Sequence, residues 1–202
     1  LEGFGMIGQR LQEGTRIHRK LQKEEGAEYK SEVRLSCQRE YDSFILVVDG
    51  IADGIFLWEG DVTIDEIKTV TIPMSLIHED YNHLHWAQAK CYAYMVGLEQ
   101  GLDRVRVRLT YCNVDTEEKK AFSKVYSFSE LEEFCRDLFD AYAFWGNFLL
   151  CHQRERNNSM RAISFPFPAY RRGQREMAAA VYLTVMGKQG ISETADLCLQ
   201  KS

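Results

Sequence analysis

The chain has 202 residues and a formal net charge of −5, and 45% of its residues are hydrophobic. That length suits one substantial domain with an appendage, and that apolar content excludes a disordered chain. The acidic balance excludes a generic polyanion binder, so contact with nucleic acid would need a local basic patch or metal ions.

In chain order, the first segment, Gly3 to Glu25, repeats apolar residues at helical spacing (Ile7, Leu11, Ile17, Leu21) and predicts a helix interrupted near Gly14. "EYKSEVRLSCQRE" alternates like a strand, with Val33 and Leu35 on one face. "FILVVDGIADGIFLWEG" reads as a strand, a tight Asp-Gly break and a second strand. After a turn at Gly60-Asp61, "VTIDEIKTV" is a further strand, so a helix followed by a meander opens the fold. Pro73 ends this region. His78 to Leu98 is a helix after an irregular start, with Trp86, Ala89, Ala93 and Val96 as its buried stripe. "DRVRVRLTYCNV" and "KKAFSKVYSF" are two more strands. A capping box at Ser129 and Glu132 opens a long amphipathic helix. Strands in runs with helices at both ends and in the middle give an α/β fold with a mixed central sheet. Arg154 to Arg175 is arginine-rich, holds Pro166 and Pro168, and reads as a linker into a last helix starting near Arg172.

The six cysteines, Cys37, Cys91, Cys112, Cys135, Cys151 and Cys198, make no Cys-x-x-Cys pair. With no signal peptide ahead of them, they read as reduced, mostly buried thiols of a cytoplasmic protein. The apolar runs are too short to span a membrane. The chain opens at Leu1 rather than a methionine, as a piece of a longer protein would.

Glu66 and Lys68 are two apart in a strand and therefore point to one face, with Ile67 and Thr69 on the other. Asp53 lies upstream in "DGIADGI". If the two strands are neighbours, its carboxylate reaches that of Glu66. Two such carboxylates repel unless a cation lies between them, and hard oxygen ligands suit Mg²⁺ or Mn²⁺. Lys68 would orient a water or stabilise charge growing on a phosphate. Taken alone, the residues leave open an ordinary Glu–Lys pair on a solvated strand face.

"VVDGIADGIFLWEGDVTIDEIKTV" resembles the signature of the PD-(D/E)XK nuclease superfamily in its RecB-like branch. Two flanking motifs resemble that branch as well: "GTRIH" (Gly14 to His18) upstream and "QAKCY" (Gln88 to Tyr92) downstream. The four motifs cover roughly the first hundred residues. The resemblance implies a restriction-endonuclease-like core and a metal-dependent DNA nuclease. It implies Asp53, Glu66, His18 and the Ile67 carbonyl as metal ligands, and Lys68 as the catalytic cation. Gln88 would help hold the active site or substrate, and Tyr92 would lie near DNA. Glu32, in the preceding strand, occupies a place where some relatives carry an acidic residue. Several RecB-like nucleases hold an iron–sulfur cluster on four cysteines. Cys135, Cys151 and Cys198 do not make that pattern, so no cluster is expected.

"FPFPAYRRGQREMAAAVYLTVMGKQG" (Phe165 to Gly190) resembles the start of an XPD-like superfamily 2 helicase. Tyr170, Arg171, Gly173, Gln174 and Met177 match its nucleotide-binding motif, of which Tyr170, Arg171 and Gln174 would contact adenine nucleotide. "MGKQG" is not a Walker A loop, so this chain alone is not expected to hydrolyse ATP. The expected organisation is a nuclease domain over 1–152, then a linker and the opening of a helicase domain over 153–202. Its partners would be DNA and the helicase domain of the parent chain. Phosphate contacts would come from Arg104, Arg106 and Arg108 or from Lys119 and Lys120, unless those arginines only solvate a strand face. The alternatives are a catalytically silent DNA-binding module that positions the helicase, and an unrelated α/β interaction domain.

Overall fold

The computed structural model describes residues 2–164 and 167–187, with side chains described from Glu13 to Val185 within those ranges. The side chains of Ile7 and Leu11, and the segment from Lys188 onward with Cys198, lie outside the described residues. The chain forms two compact units, Leu1–Leu150 and Cys151–Ser202.

The first unit is an α/β layer structure. Helix α1 (Glu2–Glu24) precedes strands β1 (Lys30–Tyr41), β2 (Phe44–Trp58) and β3 (Asp61–Val70). Helix α2 (His83–Gln100) then leads to β4 (Arg104–Asn113), β5 (Lys119–Ser127) and the start of α3 (Phe128–Ala162). The five strands make one mixed sheet in the order β1-β2-β3-β4-β5. All neighbours are antiparallel except β3 and β4, which are parallel and joined through α2.

Alternation along the strands divides the sheet into two faces. Ile64 of β3 and Val105, Val107, Leu109 and Tyr111 of β4 face the main core, where α2 buries Trp86, Ala89, Ala93 and Val96 as the sequence predicts. Helix α3 adds Leu131, Cys135 and Phe139 to that core. The opposite face carries Ile67 and Cys112, on which α1 packs Ile17 and Leu21.

Several local expectations are corrected. The predicted Asp-Gly break around Asp53 does not occur: β2 is one strand of 15 residues that runs through it. Its glycines answer to long-range packing instead. A Cβ on Gly50 would lie 2.4 Å from Tyr92 Cε1, and one on Gly54 would lie 1.9 Å from Tyr29 Oη. Helix α1 runs unbroken through Gly14, whose bare Cα faces Thr69 Oγ1, 3.3 Å from where a Cβ would be. The capping box of α3 sits two residues earlier than predicted. Ser127 N and Oγ both donate to Glu130 Oε2, and Glu130 N donates back to Ser127 Oγ. Helix α2 starts at His83, where the Asn82 side chain accepts from Leu84 N, and it ends on Gly101 in the left-handed region (φ 64°).

In the second unit the arginine-rich segment is not a linker from Arg154, because α3 continues to Ala162. The last helix, α4, spans Gln174–Gly187. None of the described helices is long and apolar enough to cross a membrane.

Candidate functional site

The β2–β3 ladder runs from Trp58–Asp61 back to Gly54–Asp65 and stops there. Beyond it β2 stays with β1 while β3 continues beside β4, so the sheet forks. Asp53 and Glu66 are the first residues past the last ladder pair and sit on facing positions. Asp53 spans the fork, accepting a hydrogen bond from Ile67 N at its Oδ2 (2.7 Å). His18 of α1 places Nδ1 3.4 Å from Asp53 Oδ1. Four residues on, one turn along the same helix side, Gln22 donates to the Asp53 carbonyl (2.9 Å).

Glu66 and Lys68 share a face, as strand periodicity requires. Lys68 Nζ donates to Glu66 Oε1 (2.7 Å) and to Gln88 Oε1 (3.0 Å). Gln88 Nε2 in turn donates to Tyr92 Oη (3.2 Å), whose ring covers Gly50. The face of α2 that carries Gln88 and Tyr92 therefore fixes the ammonium group over the fork. The Glu66 side chain is only 2% exposed, and its Oε2 is buried with no hydrogen-bond partner. Burial first, and the nearby Asp53 carboxylate second, push the Glu66 carboxyl up to about 7, against the opposing pull of Lys68 and His18. Among the described residues no three His, Cys, Asp or Glu side chains stand close enough to form a ready-made metal cage.

Thus Asp53, Glu66, Lys68, His18, Gln88 and Tyr92 are brought together at one place, with the Ile67 main chain between them. The tail residues Tyr170, Arg171 and Gln174 belong to the second unit. There Gln174 Oε1 accepts from Arg171 N (2.8 Å), a local bond that caps the start of α4. Tyr170 and Arg171 are exposed.

Glu32 faces Asp53 across the β1–β2 ladder and interrupts it in the left-handed region (φ 54°), with its side chain exposed. For a non-glycine residue this is a strained conformation.

The basic residues named for phosphate contact all have partners within the protein. Arg108 makes two bonds to Asp65 (3.0 and 2.9 Å), pairs with Glu25 and stacks on Phe56. Arg104 and Arg106 both bind Asp61, and Arg106 also binds Glu59 and stacks on Trp58. Lys119 pairs with Glu24, and Lys120 donates to the Ile77 carbonyl (2.6 Å). Arg104, Arg106, Arg108 and Lys119 are thus in ion pairs, whereas Lys120, opposite Tyr111 in the ladder, bonds main-chain carbonyls.

Sequence reading missed Asp65, which is 1% exposed and also accepts from Tyr29 Oη (2.9 Å) and Thr110 Oγ1 (2.8 Å). The signal was available: acids at Asp61 and Asp65 alternate on β3 as Arg104, Arg106 and Arg108 alternate on β4. It also missed Gln22 and His85, whose Nδ1 lies 2.9 Å from Tyr111 Oη.

No protein-family model matches the chain, and no curated protein matches it. Among solved structures, one described as the crystal structure of SSO0001 is similar at a TM-score of 0.43 and 16% identity. The match covers 63% of this chain and 58% of that one, so this chain spans little more than half of that structure's length. At this level the likeness carries no argument about fold or function.

Proposed function

We propose that the chain carries a divalent-metal-dependent DNA nuclease with a PD-(D/E)XK core of the RecB-like branch. The observation that carries this reading is Glu66 Oε2, a buried carboxylate oxygen with no partner, on a side chain that faces a second carboxylate, Asp53. A buried acceptor without a donor is costly unless a cation or water satisfies it. Two carboxylates, an imidazole and a main-chain carbonyl fit Mg²⁺ or Mn²⁺, which keep several waters and need no complete protein cage. Glu66, Asp53, His18 and the Ile67 carbonyl would hold the ion. When bound, such an ion polarises a phosphate and lowers the pKa of its water.

The chain's own residues supply the rest. Lys68, 24% exposed and anchored by Glu66 and Gln88, offers a fixed positive charge at the open side of the fork. There it offsets charge growing on the phosphate and orients the attacking water. Gln88 and Tyr92 hold that ammonium, and Gln22 and Ile67 N hold Asp53. The substrate is single-stranded or end-containing DNA, delivered by a helicase domain whose opening is the segment from Phe165. No iron–sulfur cluster enters the proposal.

The deciding experiment is cleavage of single-stranded DNA with Mn²⁺ or Mg²⁺ by the wild-type chain and by Lys68→Ala. Metal-dependent cleavage lost in the folded variant supports the nuclease. Tight DNA binding with no cleavage under any divalent ion makes the chain a silent binding module instead.

A further inference from the structure

With Arg104, Arg106, Arg108, Lys119 and Lys120 bound to acids or carbonyls, a DNA strand needs another place to hold on. A cavity of about 600 Å³ opens between α2, β5 and α3, a volume typical of small-ligand sites. Its walls include Lys90 and Ala87 of α2, Tyr126 and Lys124 of β5, Phe134 of α3, and Trp86.

Three ring faces here are covered by lysine ammonium groups. Lys90 Nζ lies 4.9 Å from the centroid of Tyr126 and 4.7 Å from that of Phe134. Lys124 Nζ lies 4.9 Å from that of Trp86. Lys124 is paired with Glu79, whereas among the described residues Lys90 makes no ion pair. A lysine is a flexible cover, and its attraction to a ring is modest at a half-exposed site.

We infer that this cavity is a docking site for a nucleotide of single-stranded DNA, its base stacked on Tyr126 or Phe134 and its phosphate paired with Lys90. The ligand class follows from the exchange. A base replaces the ammonium on the ring, and the displaced cation needs an anion, which the same nucleotide brings. Aromatic faces with adjacent cations are the recurring means of holding single strands without sequence preference. At 100° per residue, Ala87 and Lys90 lie on the side of α2 opposite Gln88 and Tyr92. A strand in the fork would therefore cross the width of one helix, about 10 Å, to enter the cavity. The inference rests on the nuclease reading for its substrate, yet it is tested by binding alone.

The measurement is fluorescence anisotropy of a labelled oligothymidylate with the full chain in EDTA, which prevents metal-dependent cleavage. Lys90→Glu and Phe134→Ser are each expected to weaken binding tenfold or more. Lys119→Glu, which alters only the exposed pair with Glu24, is expected to change it less than twofold. Independently of any variant, photocross-linking with 5-iodouracil oligonucleotides is expected to label Tyr126 or Phe134 in the wild-type protein. Unchanged affinity in both cavity variants, adducts confined to other residues, or equally effective displacement by polyglutamate each overturns the inference. If Mn²⁺-dependent cleavage persists in that case, the nuclease reading stands alone. Cavity-dependent binding without any cleavage leaves the docking site and removes the nuclease.

Discussion

Lys68 and Glu66 form an ion pair in which only half of the carboxylate is used: Oε1 accepts the ammonium at 2.7 Å, while Oε2 is buried and unpartnered. An ordinary surface Glu–Lys pair has both groups in water and is worth little. This one holds a lysine at the mouth of a fork whose floor lacks a positive partner. On the nuclease reading, Lys68→Ala lowers Mn²⁺-dependent cleavage by about 10²–10³-fold, the range for loss of one preorganised charge-stabilising group. Steady-state cleavage with circular dichroism as the folding control checks this; unaltered turnover rules out the role given to Lys68.

Glu66 also gives the metal-free protein a pH signature. Its folded carboxyl is held up to about 7, from an ordinary value of 4.5, so the folded state binds the proton more tightly than the unfolded chain. Stability therefore falls as pH rises from about 4.5 to about 7 and is level above that, a loss on the order of 3 kcal/mol. Urea unfolding in EDTA should show this slope in the wild type and not in Glu66→Gln. On the nuclease reading, millimolar Mn²⁺ should oppose the loss, because an ion that binds only the folded state stabilises it.

Asp65 is one residue from Glu66 and points to the other face. It accepts from Tyr29, Arg108 and Thr110, so its carboxylate is fully satisfied. Asp65→Ala leaves the Arg108 guanidinium deprived of its main partner and is expected to destabilise the fold by about 3–5 kcal/mol. Thermal unfolding gives the comparison: a loss below about 1 kcal/mol would show that the pair is no more than a surface contact.

Gly50→Ala tests the support behind the site. The new Cβ would lie 2.4 Å from Tyr92 Cε1, so the ring must move. The expected cost is about 1–3 kcal/mol. On the nuclease reading, cleavage should fall with it, because Tyr92 anchors Gln88 and Gln88 anchors Lys68. On the same reading, metal affinity measured by calorimetry should stay near the wild-type value.

Glu32→Gly removes a side chain from a left-handed backbone position that glycine adopts freely. Because the side chain is exposed, little packing is lost, and a gain of about 1 kcal/mol in unfolding free energy is expected. A loss of stability in urea titration would mean that the Glu32 side chain makes a contact that outweighs its strain.

Local pattern carried the meander, the stripe of α2 and the shared face of Glu66 and Lys68, since each is set by period-two or period-3.6 alternation. What it could not carry was the reason for glycines inside β2. "DGIADG" has the composition of a turn, yet Gly50 and Gly54 are spaces left for Tyr92 and Tyr29, residues distant in sequence. Arg104, Arg106 and Arg108 looked like a phosphate-binding row because their acids lie on another strand and past the end of α1. Likewise Ser129 and Glu132 had the spacing of a capping box. Ser127 and Glu130 have the same spacing and won, because β5 ends at Ser127.

The fork also sets an order of assembly. Asp53 and Glu66 are joined by a short hairpin, whereas Lys68 meets Gln88 only after the crossover through α2, and His18 belongs to a helix that must settle on the finished sheet. Longer chain closures cost more entropy and come later. During refolding, the carboxylate pair is therefore expected in place before its imidazole neighbour, with recovery of the complete centre following the arrival of α1 rather than the zipping of the first three strands.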